Sequence, residues 1–80
     1  EAIEDLDAAL RYTPGLGEAH QLRGQAWLEK GDPDKAMLDV KAAMDADPEN
    51  VATLVLRGRV REALRIQEAA GGPVERLESN

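Results

Sequence analysis

The chain has no cysteine and no phenylalanine, and it holds one histidine, one tryptophan and one tyrosine among 80 residues. Without cysteine, it has neither disulfides nor thiolate metal ligands nor a cysteine nucleophile. So few aromatic rings leave little surface for stacking nucleobases. The one serine, Ser79, lies beside the C-terminus and in no nucleophile context. No acid, base and nucleophile come together in the sequence, so we expect a protein that is not an enzyme and needs no cofactor or metal.

Long apolar runs and excess positive charge are also missing. No run approaches the roughly 18 apolar residues typical of a membrane span. The net charge of −6 argues against nonspecific binding to nucleic acids or acidic membranes. The charge is uneven, since residues 1–50 carry 5 basic and 12 acidic side chains and residues 51–80 carry 5 and 4. These features predict no nucleic-acid partner and no membrane insertion.

The chain opens without methionine on EAIEDLDAAL, which is already in helical phase. It has no signal-type segment. We therefore expect a fragment of a longer protein. The compartment stays open, with the cytoplasm favoured.

Apolar residues recur at helical spacing in four segments, and no segment shows the alternation of a β-strand. The predicted helices cover residues 1–12, 18–29, 33–46 and 51–70. Gly31 suits the left-handed exit of the second helix, Asp32 the N-cap of the third and Pro33 its first residue. Gly71-Gly72-Pro73 is predicted to end the fourth helix.

A 34-residue repeat organises these helices. EAIEDLDAALRYTP aligns without gaps on KAMLDVKAAMDADP. Identical residues 34 positions apart are Ala2/Ala36, Asp5/Asp39, Ala8/Ala42, Ala9/Ala43 and Pro14/Pro48. The triplet Leu22-Arg23-Gly24 returns at Leu56-Arg57-Gly58 with the same period. Two separate sets of residues thus give one period.

This helix–turn–helix period resembles the tetratricopeptide repeat (TPR), and residues 17–50 look like one complete unit. The family's characteristic small, large and closing positions are matched by Gly24, Trp27, Ala36, Val40, Ala43 and Pro48. Residues 1–16 are similar to the second helix of a preceding unit, and residues 51–72 to a lengthened first helix of a following one. Residues 73–80 form a tail or the start of a further helix. The sequence departs from the family at His20 and Arg61.

The resemblance implies an all-α fold in which antiparallel helix pairs stack as a short right-handed superhelix (an α-solenoid). It also implies a protein-protein interaction module that binds a peptide or helix on its concave face. By helical phase, the predicted peptide-binding residues are Glu18, Gln21, Gln25, Leu28, Val55, Arg59 and Glu62. The Lys, Asn and Arg clamp with which some members hold chaperone C-termini is missing here, so we do not predict that ligand.

Self-assembly is the alternative function, which makes a homo-oligomer possible. Repeat arrays generally need about three units to bury a continuous core. One complete unit between two halves is therefore expected to leave apolar faces uncovered on its end helices. These faces are Ile3/Leu6/Leu10 and Leu56/Val60/Leu64, and a second copy or the rest of a longer chain would cover them.

The two Leu-Arg-Gly triplets suggest roles in architecture. We predict that Asp5 pairs with Arg23 and Asp39 with Arg57, since each arginine follows its aspartate by 18 positions. The alternative is that the aliphatic part of each arginine side chain packs on the protein surface while its guanidinium stays in water. Gly24 is predicted to mark a close contact between two helices.

Two further features leave functional alternatives open. His20 has no second ligand at a useful spacing, so a packing or surface histidine is favoured over a metal ligand or a general base. Arg57, Arg61 and Arg65 recur at i, i+4 and i+8 and share one helix face. This face either holds an acidic partner or is simply solvated.

Overall fold

The part of the chain that the structure describes folds into four α-helices joined by short turns. The computed structural model describes the backbone of residues 1–78 and the side chains of residues 1–70. The helices are α1 (Ala2–Tyr12), α2 (Gly17–Glu29), α3 (Pro33–Ala46) and α4 (Val51–Glu78). No strand occurs between residues 1 and 78. The all-α prediction is confirmed, and α2 is the central helix, packing against α1, α3 and α4.

The turn between α2 and α3 forms as its residue types predict. Gly31 has φ of 88°, a left-handed conformation that glycine adopts without a steric penalty. The Asp32 side chain accepts a hydrogen bond from the Lys35 backbone N–H at 3.2 Å. Pro33 then opens α3, where its missing N–H costs nothing. The predicted exit, N-cap and first helical residue are confirmed.

The fourth helix extends further than the sequence predicts. It was expected to end at Gly71-Gly72-Pro73, but α4 continues through these residues to Glu78. A proline in a helix interior removes one backbone hydrogen bond and its ring crowds the carbonyl oxygen four residues earlier, so it commonly kinks or ends a helix. Here the helix continues through it. Good helix formers flank the three residues on both sides, in QEAA and VERLE. The predicted end of the helix at this point is therefore wrong.

The core lies where α2, α3 and α4 meet. Its buried cluster consists of Ala36, Val40, Leu56 and Val60. Val40 and Val60 are fully buried, which stabilises the fold by about 2 kcal/mol each. Partly buried Trp27, Leu28, Met37, Met44 and Leu64 surround the cluster. Small and branched aliphatic residues thus fill the buried cluster, and Trp27 is the aromatic residue that packs against it.

Gly24 marks the closest approach of three helices. A Cβ placed on Gly24 would lie 3.3 Å from the Ala36 carbonyl oxygen and the Asp39 Cβ on α3, and 3.3 Å from Leu56 Cδ2 on α4. Those distances are shorter than ordinary van der Waals contact, so only glycine fits without a shift of its neighbours. The predicted close contact at Gly24 is confirmed.

The apolar faces predicted to be uncovered are instead largely covered within the chain, although Leu6 and Leu64 are only partly buried. On α1, Ile3 and Leu10 are buried, and on α4 Leu56 and Val60 are buried. The physical reason is helical phase, because the i, i+4 face of α4 points into the core. The large apolar side chains that α4 leaves in solvent are on other faces: Val51, Leu54, Val55 and Ile66.

Candidate functional site

An open, mainly apolar groove runs beside α4, next to the end of α2, and we call it the α4 groove. Its volume is about 580 Å³. It is lined by Leu28, Val55, Gly58, Arg59, Glu62, Ala63 and Ile66. Val55 and Ile66 are 58% and 59% exposed. Together with the partly buried Leu28, they form an apolar surface that is open to solvent.

Two charged residues add polarity to the α4 groove. Arg65 donates a hydrogen bond to Glu62 one turn away on α4. Arg59 is exposed and forms no ion pair with the side chains of residues 1–70. The groove therefore offers a guanidinium for a carboxylate of a bound molecule.

The seven predicted peptide-binding residues lie on three different surfaces. Leu28, Val55, Arg59 and Glu62 all line the α4 groove. Glu18 and Gln21 line a more polar cleft of about 620 Å³ near the starts of α2 and α4. Gln25 lines a third depression, between α1 and α2.

Sequence reasoning missed Gly58, Ala63 and Ile66 in the α4 groove. The signal for them was present, because they continue the helical phase of Val55 and Arg59 in steps of three and four residues.

A buried ion network connects α1, α2 and α3. Arg23 donates from Nε to Asp39 Oδ2 at 2.8 Å and from Nη2 to Asp39 Oδ1 at 2.7 Å. Its Nη1 donates to Asp7 Oδ1 at 2.7 Å. The Asp39 side chain is 5% exposed, so this two-pronged interaction lies largely out of water. The guanidinium fork thereby joins three helices at one point.

The predicted ion pairs are therefore wrong in both cases. Arg23 binds Asp7 and Asp39 rather than Asp5, which is exposed. Arg57 does not reach Asp39 and instead points Nη1 at Met44 Sδ, 3.6 Å away. The reason is register, since Asp7 and Asp39 each lie 16 residues from Arg23, on opposite sides. This symmetric spacing was the sequence signal that could have identified the network.

His20 belongs to the same network. Its Nδ1 lies 3.1 Å from Asp39 Oδ1 and its Nε2 lies 2.9 Å from the Pro14 carbonyl oxygen. Both partners are acceptors, so both hydrogen bonds form together only when the ring carries two protons. The favoured interpretation as a packing histidine fits these contacts, and the side chain is 14% exposed.

The electrostatics of the network favour the charged form of Arg23. Its hydrogen bond to Asp39 raises the pKa of the guanidinium above the ordinary value, partial burial opposes this, and Asp7 adds to the rise. Among the described side chains, every buried nitrogen and oxygen has a hydrogen-bond partner. A satisfied network of this kind holds helices in place.

The described residues also bear on metals and membranes. They contain no group of three or more His, Asp or Glu side chains arranged to hold a metal ion. None of the helices in that part of the chain combines the length and the hydropathy needed to cross a bilayer.

The chain was compared with protein-family models, with curated proteins and with solved structures, and none of them matched it.

Proposed function

We propose that this chain is a non-catalytic protein-protein interaction module of the TPR type, which binds a peptide or a helix in the α4 groove. The gapless 34-residue repeat and the residues it shares with that family support the TPR assignment. In this proposal the helix pairs stack as a short solenoid. Residues 17–50 form its complete unit, and no catalytic step and no cofactor is assigned.

The observation that carries the proposal is the exposed aliphatic surface of the α4 groove. Val55 and Ile66 stand more than half exposed beside Leu28, in a groove of about 580 Å³. That volume lies within the range of about 300–1,000 Å³ found for ligand pockets. Covering such aliphatic surface with an apolar side chain stabilises a complex by about 25 cal/mol for each Å² removed from water. Charges at Arg59 and Glu62 would orient what binds.

The test is selection of ligands from a displayed library of random peptides of about 12 residues, the length of a short recognition helix. Enriched peptides are then titrated against the wild-type chain and two variants by fluorescence anisotropy. Val55→Glu places a carboxylate in the groove and should weaken binding about tenfold or more, because the aliphatic contact is lost and binding would have to remove a charge from water.

The matched control is Leu38→Glu, since Leu38 is an equally exposed apolar residue on α3, away from the groove, with 67% exposure. It should leave the affinity unchanged. Equal losses in both variants, or a library that yields no binder above background for the monomeric chain, would contradict the proposal.

A further inference from the structure

One face of α4 has the spacing of a helix that packs on another helix. We call it the α4 stripe, and it consists of Ala52, Val55, Arg59, Glu62, Ile66 and Ala69. The steps between these residues are three, four, three, four and three. All six are exposed. Alternating steps of three and four are those of helices that pack side by side along their length.

The α4 stripe is symmetric about its own centre, between residues 60 and 61. At equal distances from that point stand Val55 and Ile66, both large and aliphatic. Next inward stand Arg59 and Glu62, which carry opposite charges. The flanking residues Gly58 and Ala63 repeat this symmetry, and both are small. In an antiparallel pair of identical helices related by a two-fold axis, each residue faces its counterpart across the axis.

We propose that the occupant of the α4 groove is α4 of a second copy of this chain, packed antiparallel with the two-fold axis between residues 60 and 61. The inference rests on the proposed function of the groove and names its partner. Arg59 then faces Glu62 of the second copy, and the same contact is made twice. Val55 packs on Ile66 of the second copy at each end.

Packing space supports this arrangement. Among the described residues, nothing lies within 4 Å of the position of a Gly58 Cβ, so no contact with them requires glycine at this position. Small residues at Gly58 and Ala63 let a second helix approach closely. The stripe from Ala52 to Ala69 spans about 26 Å, enough for two to three heptads.

Charge selects the antiparallel direction. In a parallel pair in register, Arg59 would face Arg59 and Glu62 would face Glu62 of the second copy. Like charges held opposite each other destabilise an interface, whereas opposite charges fix its register. Arg59, which forms no ion pair within residues 1–70, finds a carboxylate in Glu62 of the second copy, and that carboxylate also accepts a hydrogen bond from Arg65 of its own chain.

Charge reversal with rescue tests the proposal in sedimentation equilibrium at tens of micromolar chain and physiological salt. Arg59→Glu alone, and Glu62→Arg alone, should each weaken self-association about tenfold or more, because like charges then meet at the centre. The double variant Arg59→Glu/Glu62→Arg should recover it. An equimolar mixture of the two single variants should form a heterodimer, since each supplies the charge that the other lacks.

Controls separate this interface from general charge effects and from misfolding. Arg61→Glu reverses an exposed charge outside the α4 stripe and should leave self-association unchanged. Circular dichroism of every variant should match that of the wild type, because the substituted side chains are exposed. The chain lacks cysteine, so a Val55→Cys copy mixed with an Ile66→Cys copy should form a mixed disulfide dimer, as the antiparallel direction requires.

The outcomes also separate this inference from the function on which it rests. A wild-type chain that stays monomeric yet binds library peptides in its groove overturns the second copy as occupant and leaves the binding proposal standing. A chain that self-associates but ignores charge reversal at residues 59 and 62 overturns the α4 interface. A monomer that binds no peptide overturns both.

Discussion

Two Leu-Arg-Gly triplets lie 34 residues apart, at 22–24 in α2 and 56–58 in α4, and their side chains meet different surroundings. Leu22 is 43% exposed while Leu56 is 3% exposed. Arg23 joins a buried network while Arg57 points at a methionine sulfur. A Cβ on Gly24 would contact three residues, whereas one on Gly58 would contact none of the residues that the structure describes. Identical local sequence therefore plays different roles according to its neighbours.

Leu56, the leucine of the second triplet, packs against Gly24, the glycine of the first. Leu56 Cδ2 lies 3.3 Å from the position of a Gly24 Cβ. The absence of a side chain at Gly24 thus leaves the space that Leu56 fills. Gly58 occupies the equivalent position 34 residues later, and no atom of the described residues fills the space beside it.

The arginines differ because their acidic partners do not repeat. Arg23 binds Asp7 and Asp39, 16 residues before and after it. The positions with the same offsets from Arg57 are 41 and 73, which hold a lysine and a proline. Neither side chain can accept a hydrogen bond. The repeat therefore preserves the arginine but not its network.

The largest effect is expected from removing the two arginines in turn. Arg23→Ala leaves the Asp39 carboxylate buried without its counter-ion and should lower the free energy of unfolding by about 3 kcal/mol. Arg57→Ala should change it by less than about 0.5 kcal/mol. Urea denaturation followed by circular dichroism measures both. Equal losses of unfolding free energy in the two variants would contradict the expectation that Arg23 stabilises the fold more than Arg57 does.

Filling the two glycines should give effects of opposite sign. Gly24→Leu forces side-chain atoms into the contact with α3 and Leu56 and should destabilise the fold by about 1–3 kcal/mol. Gly58→Ala faces open space and should stabilise it by up to about 1 kcal/mol through better helix propensity. Thermal unfolding in dilute solution, where the monomer dominates, compares the two. A stabilising Gly24→Leu would contradict the close contact.

The smallest effect on stability is expected from replacing the two aspartates of α1, Asp5 and Asp7, one at a time. Asp7→Ala removes a carboxylate that is 42% exposed and binds Arg23, so solvent screening limits the expected loss to about 0.5 kcal/mol. Asp5 has no arginine partner among the described side chains, and Asp5→Ala should be neutral within about 0.2 kcal/mol. The free energies of unfolding of the two variants, measured by urea denaturation at low salt, test this ranking. The reverse ranking would restore the pairing of Asp5 with Arg23.

Sequence reasoning predicted the helices well and the side-chain partners poorly. The turn at Gly31-Asp32-Pro33 follows from local geometry, so its residue types suffice to predict it. The end of α4 did not follow, because a proline with good helix formers on both sides lies within a continuous helix here. Four predicted binding residues reached one groove, while Glu18, Gln21 and Gln25 lie elsewhere. Helical phase gives a direction around one axis but not the distance to the next helix.

By itself the sequence determined the all-α class, the turn between α2 and α3 and the 34-residue period. These depend on side-chain spacing and caps that act within a few residues. Only the tertiary structure decided that Arg23 binds Asp7 and Asp39, that Gly24 receives Leu56, and that Val55 and Ile66 share one open groove. Those outcomes depend on the distance between helices and on the rotation of each helix about its axis. Both are set by the side chains of all the helices in contact.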